Sequence, residues 1–333
     1  MKACIYGAGA IGGWLGVALA HAGASVSAVA RGATLAALRQ HGLRLTRPDG
    51  SQAHAAVQAS EDPAALGTQD VVVLAVKAPA LPDVVERIAP LIGRDTVVLT
   101  AMNGVPWWFL EGCTGVPPGQ HLHSVDADGR IAQAIPTGQV VGAVVHASCS
   151  LTAPGHARQH FGNRLIIGEP GAPATERVNA LAGLLRGGGI EVEVSPRIQQ
   201  DIWFKLWGNL TMNPISALTG ATTDRILDDD LVRSFVSAVM REAQAIGMHL
   251  GLPLHQQPED RHAVTRKLGA FKTSMLQDVE AGKPLEIDAL VGAVHELGRL
   301  TDTPTPHTDA LLGLTRLMAR QRGLYPSDAT PKT

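Results

Sequence analysis

The sequence predicts a doubly wound α/β unit with a mostly parallel sheet, followed by an all-α unit. Three observations carry that expectation. A glycine-rich turn stands between two strand-like apolar runs near the N-terminus. Strand and helix signals then alternate to about residue 196, and from about Ile198 the pattern is helical throughout. A length of 333 residues suits about two domains. The expected division is 1–196 for the α/β domain and 197–322 for the helical domain. Residues 323–333, with Pro326 and Pro331, are expected as a disordered tail.

Lys2-Ala3-Cys4-Ile5-Tyr6 reads as a short buried strand, and Gly7-Ala8-Gly9-Ala10-Ile11-Gly12 follows it directly. Trp14, Leu15, Ala18 and Leu19 recur at helical spacing, Gly23 is placed to stop that helix, and Ser25–Ala30 is a second strand. A G-x-G-x-x-G turn is a weak signal alone. Inside one strand–helix–strand unit it is a strong one. The first glycine permits the tight turn, the second lets the backbone approach a pyrophosphate, and the third lets the helix pack close to the strand. The helix N-terminus then offers free N–H groups to the phosphates. These are the marks of a Rossmann-type dinucleotide-binding domain. The second strand ends in Arg31-Gly32, with no Asp or Glu before Asp49. An acidic side chain there would suit the ribose hydroxyl of NAD. A guanidinium suits a 2′-phosphate, so NADP(H) is the expected cofactor.

Leu35–His41 reads as a helix, and Leu43–Thr46 with Ala53–Gln58 as a strand pair around Pro48-Asp49-Gly50. Val71–Val76 is an unbroken apolar run, the mark of a strand buried on both faces, and it ends in Lys77. Leu81–Ile92 reads as a helix, and Thr96–Thr100 as a strand leading to Met102-Asn103-Gly104. Ligands of open α/β sheets bind beyond the carboxyl ends of strands, which makes Lys77 and Asn103 candidate site residues. Residues 113–139, rich in Gly, Pro, His and Asp, are expected as a loop or hairpin excursion. Strands at Val140–Ser148, Leu165–Gly168 and Ile190–Val194, with a helix at Thr175–Arg186, complete the domain.

Five helices are expected beyond it, at about 198–217, 226–248, 259–280, 285–300 and 307–321. The first carries Lys205, Asn209 and Asn213 at i, i+4 and i+8, an arc of ~80° on one face. Trp203, Phe204, Leu206, Trp207, Leu210 and Met212 flank them. A polar line on a buried helix is expensive unless it meets a polar ligand. Pro214 removes a backbone donor and is expected to kink this helix. Ser274 and Glu286 also stand out; Glu286 and Asp288 fall where a helix start would favour negative charge.

Composition excludes several classes. The formal charge is −2 and only 17% of residues are charged, so there is no basic footprint for nucleic acid or an anionic membrane. Cys4, Cys113 and Cys149 fit neither a zinc template nor a disulfide framework; no metal site is expected, and a reducing, cytoplasmic setting is. The stretch Ala3–Ala30 has no formally charged residue and could pass for an export signal. Its six glycines weaken such a helix by up to ~1 kcal/mol each and fit the nucleotide turn instead. The expected partner is a small molecule, with a homodimer left open.

Taken together, Gly7–Gly12, Asn103-Gly104, Lys205…Asn209…Asn213-Pro214 and Ser274-Met275-Leu276-Gln277-Asp278…Glu286-Ile287-Asp288 resemble the ketopantoate reductase (2-dehydropantoate 2-reductase) family. The resemblance runs from Met1 to about Arg320. It implies that Gly7, Ala8, Gly9, Ala10, Ile11, Gly12 and Arg31 bind NADP(H), with Lys77 and Ala147 also against the cofactor. It implies that Asn103 lies between cofactor and substrate and that Lys205 is the proton donor. Asn209, Asn213 and Ser274 would then be substrate ligands, and Glu286 a cofactor or site-organising carboxylate. The implied reaction takes a small 2-oxo acid, 2-dehydropantoate, to pantoate on the route to pantothenate and coenzyme A. The alternatives are a reductase of another 2-oxo acid or small ketone, and a non-catalytic NADP(H) sensor. The chain departs from the family pattern in the bulk of Gly104-Val105-Pro106-Trp107-Trp108-Phe109, in the length of the 113–139 excursion and in Thr222-Thr223. One of Trp107 and Trp108 is expected to line the site and the other to pack into the core.

Overall fold

The computed structural model describes residues 1–326; the rest of the expected tail, 327–333, lies outside the described residues. The chain divides into two compact units. The first holds Met1–Met102 and Asp128–Asp201, the second Asn103–Ala127 and the chain from Ile202 onward.

In the first unit the elements run β1 (Lys2–Tyr6), α1 (Ala10–His21), β2 (Ser25–Val29), α2 (Gly32–His41), β3 (Leu43–Thr46), β4 (Gln52–Ala55), β5 (Gln58–Ser60), β6 (Val71–Leu74), α3 (Leu81–Val85), β7 (Val97–Thr100), α4 (Arg130–Ala134), β8 (Val140–Ala153), β9 (His156–Gly168), α5 (Glu176–Gly187) and β10 (Glu191–Val194). They build one sheet in the order β4-β3-β9-β8-β7-β6-β1-β2-β5, with β10 beside β9. Every pairing is parallel except β3–β4 and β8–β9. The most apolar runs take the centre: Val72, Val73 and Leu74 of β6 and Ala3, Cys4 and Ile5 of β1 are fully buried. Register sets the functional edge. Tyr6 is level with Val29 and Leu74, and Leu74 with Thr100, so these four strands end in one row.

Two expectations in this unit change. The run Leu81–Ile92 is not one helix: α3 stops at Val85 and a separate 3₁₀ turn forms at Ala89–Leu91. Pro90 lacks an N–H, and its ring clashes with the carbonyl four residues back, so the first helix cannot continue through it. The expected Ala53–Gln58 strand is two strands. β4 pairs with β3, whereas β5 pairs with β2 near the opposite edge of the sheet.

The second unit is helical: α6 (Ile198–Thr219, whose first turn belongs to the first unit), α7 (Thr223–Asp228), α8 (Asp230–His249), α9 (Pro258–Arg266), α10 (Ser274–Glu280), α11 (Ala293–Leu300) and α12 (Pro306–Gln321). A π-helical turn, Asp288–Gly292, precedes α11. Trp203 and Trp207 of α6 are almost fully buried, and the Trp207 indole N–H donates to the Met240 carbonyl of α8 at 2.8 Å. α6 continues unbroken past Pro214. The expected 259–280 helix is interrupted, because Gly269 takes a positive φ of 62° and Thr273 caps a new helix through the Leu276 N–H.

The domain expectation also shifts. The division falls after Asp201, and residues 103–127, read from sequence as part of the first domain, pack with the second unit. Val105 N–H bonds the Ala289 carbonyl at 2.8 Å, and the Phe109 and Trp203 rings lie 5.8 Å apart. The Glu296 carboxylate accepts the His123 and Ser124 N–H groups, each at 2.8 Å. Trp107 and Trp108 are both buried, at 5% and 3% exposure, so neither is the exposed half of a divided pair. Residues 323–326 of the expected disordered tail are ordered. Leu324 is buried, its carbonyl accepts from Leu285 N–H, and Tyr325 donates to Asp288. No helix among the described residues is long and apolar enough to cross a membrane.

Candidate active site

The glycine turn of the first unit carries two kinds of glycine. Gly7 has a φ of 100°, and a Cβ there would lie 2.8 Å from the Ala75 carbonyl oxygen. A Cβ at Gly12 would lie 2.1 Å from the Gly7 carbonyl oxygen. The protein's own backbone closes both positions to a side chain. Gly9 is different, because a Cβ there would meet nothing within 4 Å. The space beside Gly9 is kept open without serving the fold, which fits the approach of a pyrophosphate. Gly9 is also the N-cap of α1, without a side-chain cap and without an acidic residue in the first turn. Gly13 is the first N–H to bond back, to the Gly9 carbonyl at 2.8 Å. The N–H groups of Ala10, Ile11 and Gly12 precede it, where a helix has no internal acceptors to offer. Ala8, by contrast, is buried.

Arg31 follows β2 and is the N-cap of α2. Its side chain is 62% exposed and stands 3.9 Å from Asp83, an ion pair of a kind worth ~0–1 kcal/mol. Such a contact yields readily to a phosphate. Lys77 is half-buried just beyond β6. The level strand ends thus bring the glycine turn, Arg31 and Lys77 to one edge. Ala147 lies on β8 beyond Gly142, the residue level with Thr100, at an irregularity between His146 and Ser148. Gly162 accommodates that irregularity; a Cβ there would be 2.4 Å from the His146 carbonyl oxygen.

In the second unit, the Lys205 ammonium donates to the Asn103 side-chain oxygen at 3.0 Å. Asn103 is held by its neighbours. Val105 bonds Ala289, and a Cβ at Gly104 would lie 2.5 Å from the Ala289 carbonyl oxygen, so only glycine lets this segment lie on the π-helical turn. Glu286, buried to 9% exposure, stands just before that turn. Burial pushes the Lys205 amine down to about 8; Glu286 works against that fall and Arg261 adds to it. Asn103, Lys205 and Glu286 therefore form one electrostatic cluster. Asn209 and Asn213 share the Lys205 face of α6, and Asn213 is buried. Among the described residues neither asparagine side chain has a hydrogen-bond partner. Ser274 is exposed at the first position of α10, following the capping Thr273.

Two residues of this neighbourhood were not singled out from sequence. Arg261 lies over the Phe204 ring at 5.4 Å from its centroid, and Gly208 is the position on α6 that admits it. Arg261 sits in a run of charged residues that looks like any solvated helix. Gly208 did carry a signal, since a glycine inside a buried helix costs up to ~1 kcal/mol and asks for a close approach.

A glycine-cornered dinucleotide turn on a parallel sheet, with a buried lysine in a second, helical unit, defines a nicotinamide-dependent oxidoreductase. The comparisons with known proteins agree. The ketopantoate reductase PanE/ApbA family model matches residues 3–171, and the model of its C-terminal domain matches 197–319. The chain is 48% identical over 326 residues to the 2-dehydropantoate 2-reductase of Mesorhizobium japonicum, spanning 98% of this chain and 100% of that one. It is 57% identical to a ketopantoate reductase candidate of known crystal structure from Ralstonia solanacearum MolK2, with a TM-score of 0.93 over 97% of this chain and 99% of that one. A D-mandelate dehydrogenase, seen with NADH and anilino(oxo)acetate, shares the fold at 22% identity and a TM-score of 0.82, over 97% of this chain and 100% of that one. The protein belongs to the ketopantoate reductase family and is an NAD(P)-dependent oxidoreductase.

Proposed function

We propose that this protein reduces 2-dehydropantoate to pantoate with NADPH, a cytoplasmic step on the route to pantothenate and coenzyme A. The observation that carries this reading is the buried Lys205 ammonium, hydrogen-bonded to Asn103 and facing the same way as two unpartnered asparagines. When bound, the reduced nicotinamide supplies a hydride to the ketone carbon. Lys205 stabilises the alkoxide forming on the ketone oxygen and gives it a proton, a role worth ~10²–10⁴-fold in rate. Asn103 orients the Lys205 Nζ, and Glu286 keeps the amine protonated where burial opposes it. Asn209, Asn213 and Ser274 hold the substrate. The open space at Gly9 and the first N–H groups of α1 take the pyrophosphate, Arg31 takes the 2′-phosphate, and Lys77 and Ala147 border the cofactor. The test is steady-state turnover of 2-dehydropantoate and a panel of other 2-oxo acids, with NADPH and with NADH. The expected result is the highest kcat/KM for 2-dehydropantoate with NADPH. A better 2-oxo acid, or a preference for NADH, would overturn the corresponding half of the proposal.

A further inference from the structure

Arg261 stands apart from the ion pairs of its own helix. Glu259 pairs with Arg241, and Arg266 with Asp228. Among the described residues no carboxylate pairs with the Arg261 guanidinium, and its solvent-shielded Nε has no hydrogen-bond partner. Burial alone works against its charge. Arginine nevertheless stays protonated in proteins, so the cation remains in its half-buried setting. Stacking on Phe204 offsets part of the cost, but a half-buried charge with no carboxylate partner is ready for an anion.

The position of that charge is informative. A Cβ at Gly208 would lie 2.6 Å from the Arg261 Nε and 2.7 Å from one terminal nitrogen, Nη2. Gly208 is three residues beyond Lys205 and adjoins Asn209, so the guanidinium rests beside the face that carries the ammonium and the amides. It is near enough to depress the Lys205 amine. Two cations side by side, one of them already balanced by Glu286, match a ligand with a carbonyl oxygen next to a carboxylate. A 2-oxo acid has that pattern across a single carbon–carbon bond.

We propose that Arg261 binds the carboxylate of the 2-oxo-acid substrate while Lys205 faces the neighbouring ketone oxygen. This rests on the reading of Lys205 as proton donor. The guanidinium turns its Nε–Nη2 side to Gly208, and the terminal N–H groups that point away from the helix can take a carboxylate through charge-assisted N–H···O bonds. Arg261 then sets specificity, selecting 2-oxo acids over neutral ketones of the same shape.

The experiment compares 2-dehydropantoate with its methyl ester, which keeps the ketone and loses the carboxylate charge. Unaltered protein is assayed first. Arg261→Met keeps an unbranched apolar side chain at this position and removes the guanidinium fork, including its stacking on Phe204. It should lower kcat/KM for the acid by 30- to 300-fold, chiefly through KM, and that for the ester by less than 3-fold. NADPH affinity should stay within 2-fold, and pantoate binding followed by tryptophan fluorescence should weaken in step with KM. Arg261→Lys, the milder change, should show the same selective loss on a smaller scale. Equal losses for acid and ester would mark Arg261 as a packing residue and overturn the proposal, as would unchanged pantoate binding. Failure of the unaltered protein to reduce any 2-oxo acid would overturn the functional reading itself, before any variant is compared.

Discussion

At Lys205, burial and charge pull in opposite directions, and the balance can be measured. The folded chain releases this proton near pH 8, against 10.5 for an ordinary lysine. The reduction needs the ammonium, so kcat for the forward reaction should fall as pH rises through about 8. Oxidation of pantoate needs the neutral amine and should rise over the same range. A forward profile flat to pH 10 would remove Lys205 from the proton transfer. The sign for stability follows from linkage. Below about pH 8 both folded and unfolded chains carry the proton, and the cost of burying it is full. Between about 8 and 10.5 the unfolded chain binds the extra proton, so that cost fades and stability rises. Lys205→Met should lower kcat by ~10²–10⁴-fold and abolish the rise in stability that the unaltered protein shows between about pH 8 and 10.5. Melts of the two proteins across that range read this directly. Arg31 makes a simpler claim. NADPH should bind at least ~10-fold better than NADH, through a charge-assisted contact worth ~1.5–3 kcal/mol, and Arg31→Ala should erase most of that preference. Lys205, Asn209 and Asn213 were legible because helical period alone puts them in line. Arg261 was not, since its meaning lies in a missing partner that only three dimensions reveal.

The glycine turn separates fold from ligand within one short element. Gly12→Ala would drive a Cβ into the Gly7 carbonyl, and Gly9→Ala would meet no protein atom. Gly12→Ala should lose ~1–3 kcal/mol of stability with or without cofactor. Gly9→Ala should melt as the unaltered protein does, yet bind NADPH at least ~10-fold more weakly. Thermal melts and cofactor titrations on both variants decide this. A Gly9→Ala protein with normal NADPH affinity would mean that the open space is not the pyrophosphate's. This element was readable from sequence because strand, glycines and helix all occur within one short stretch. The π-helical turn at Asp288–Gly292 was not readable, because no residue type marks it. It owes its visible role to Ala289, which receives the backbone of Val105 from a distant part of the chain. Proline chemistry could have corrected the Leu81–Ile92 reading, since Pro90 stands in that run.

For the whole molecule, sequence period found both units but could not see that the second is discontinuous. Residues 103–127 form turns and bends with no helix or strand to give them a period. Only Val105 with Ala289, Phe109 with Trp203, and Glu296 with His123 and Ser124 assign them to the helical unit. That assignment has a functional consequence, because it sets Asn103 against Lys205 within one compact unit. The most direct test of the account follows the hydride itself. NADPH carrying deuterium at both C4 hydrogens should be oxidised with 2-dehydropantoate, and the product examined by mass spectrometry. The expected product is pantoate carrying one deuterium on C2, the carbon beside the carboxylate, in equal amount to the NADP⁺ formed. Unlabelled pantoate, or no pantoate while a different 2-oxo acid consumes the cofactor, would contradict the account.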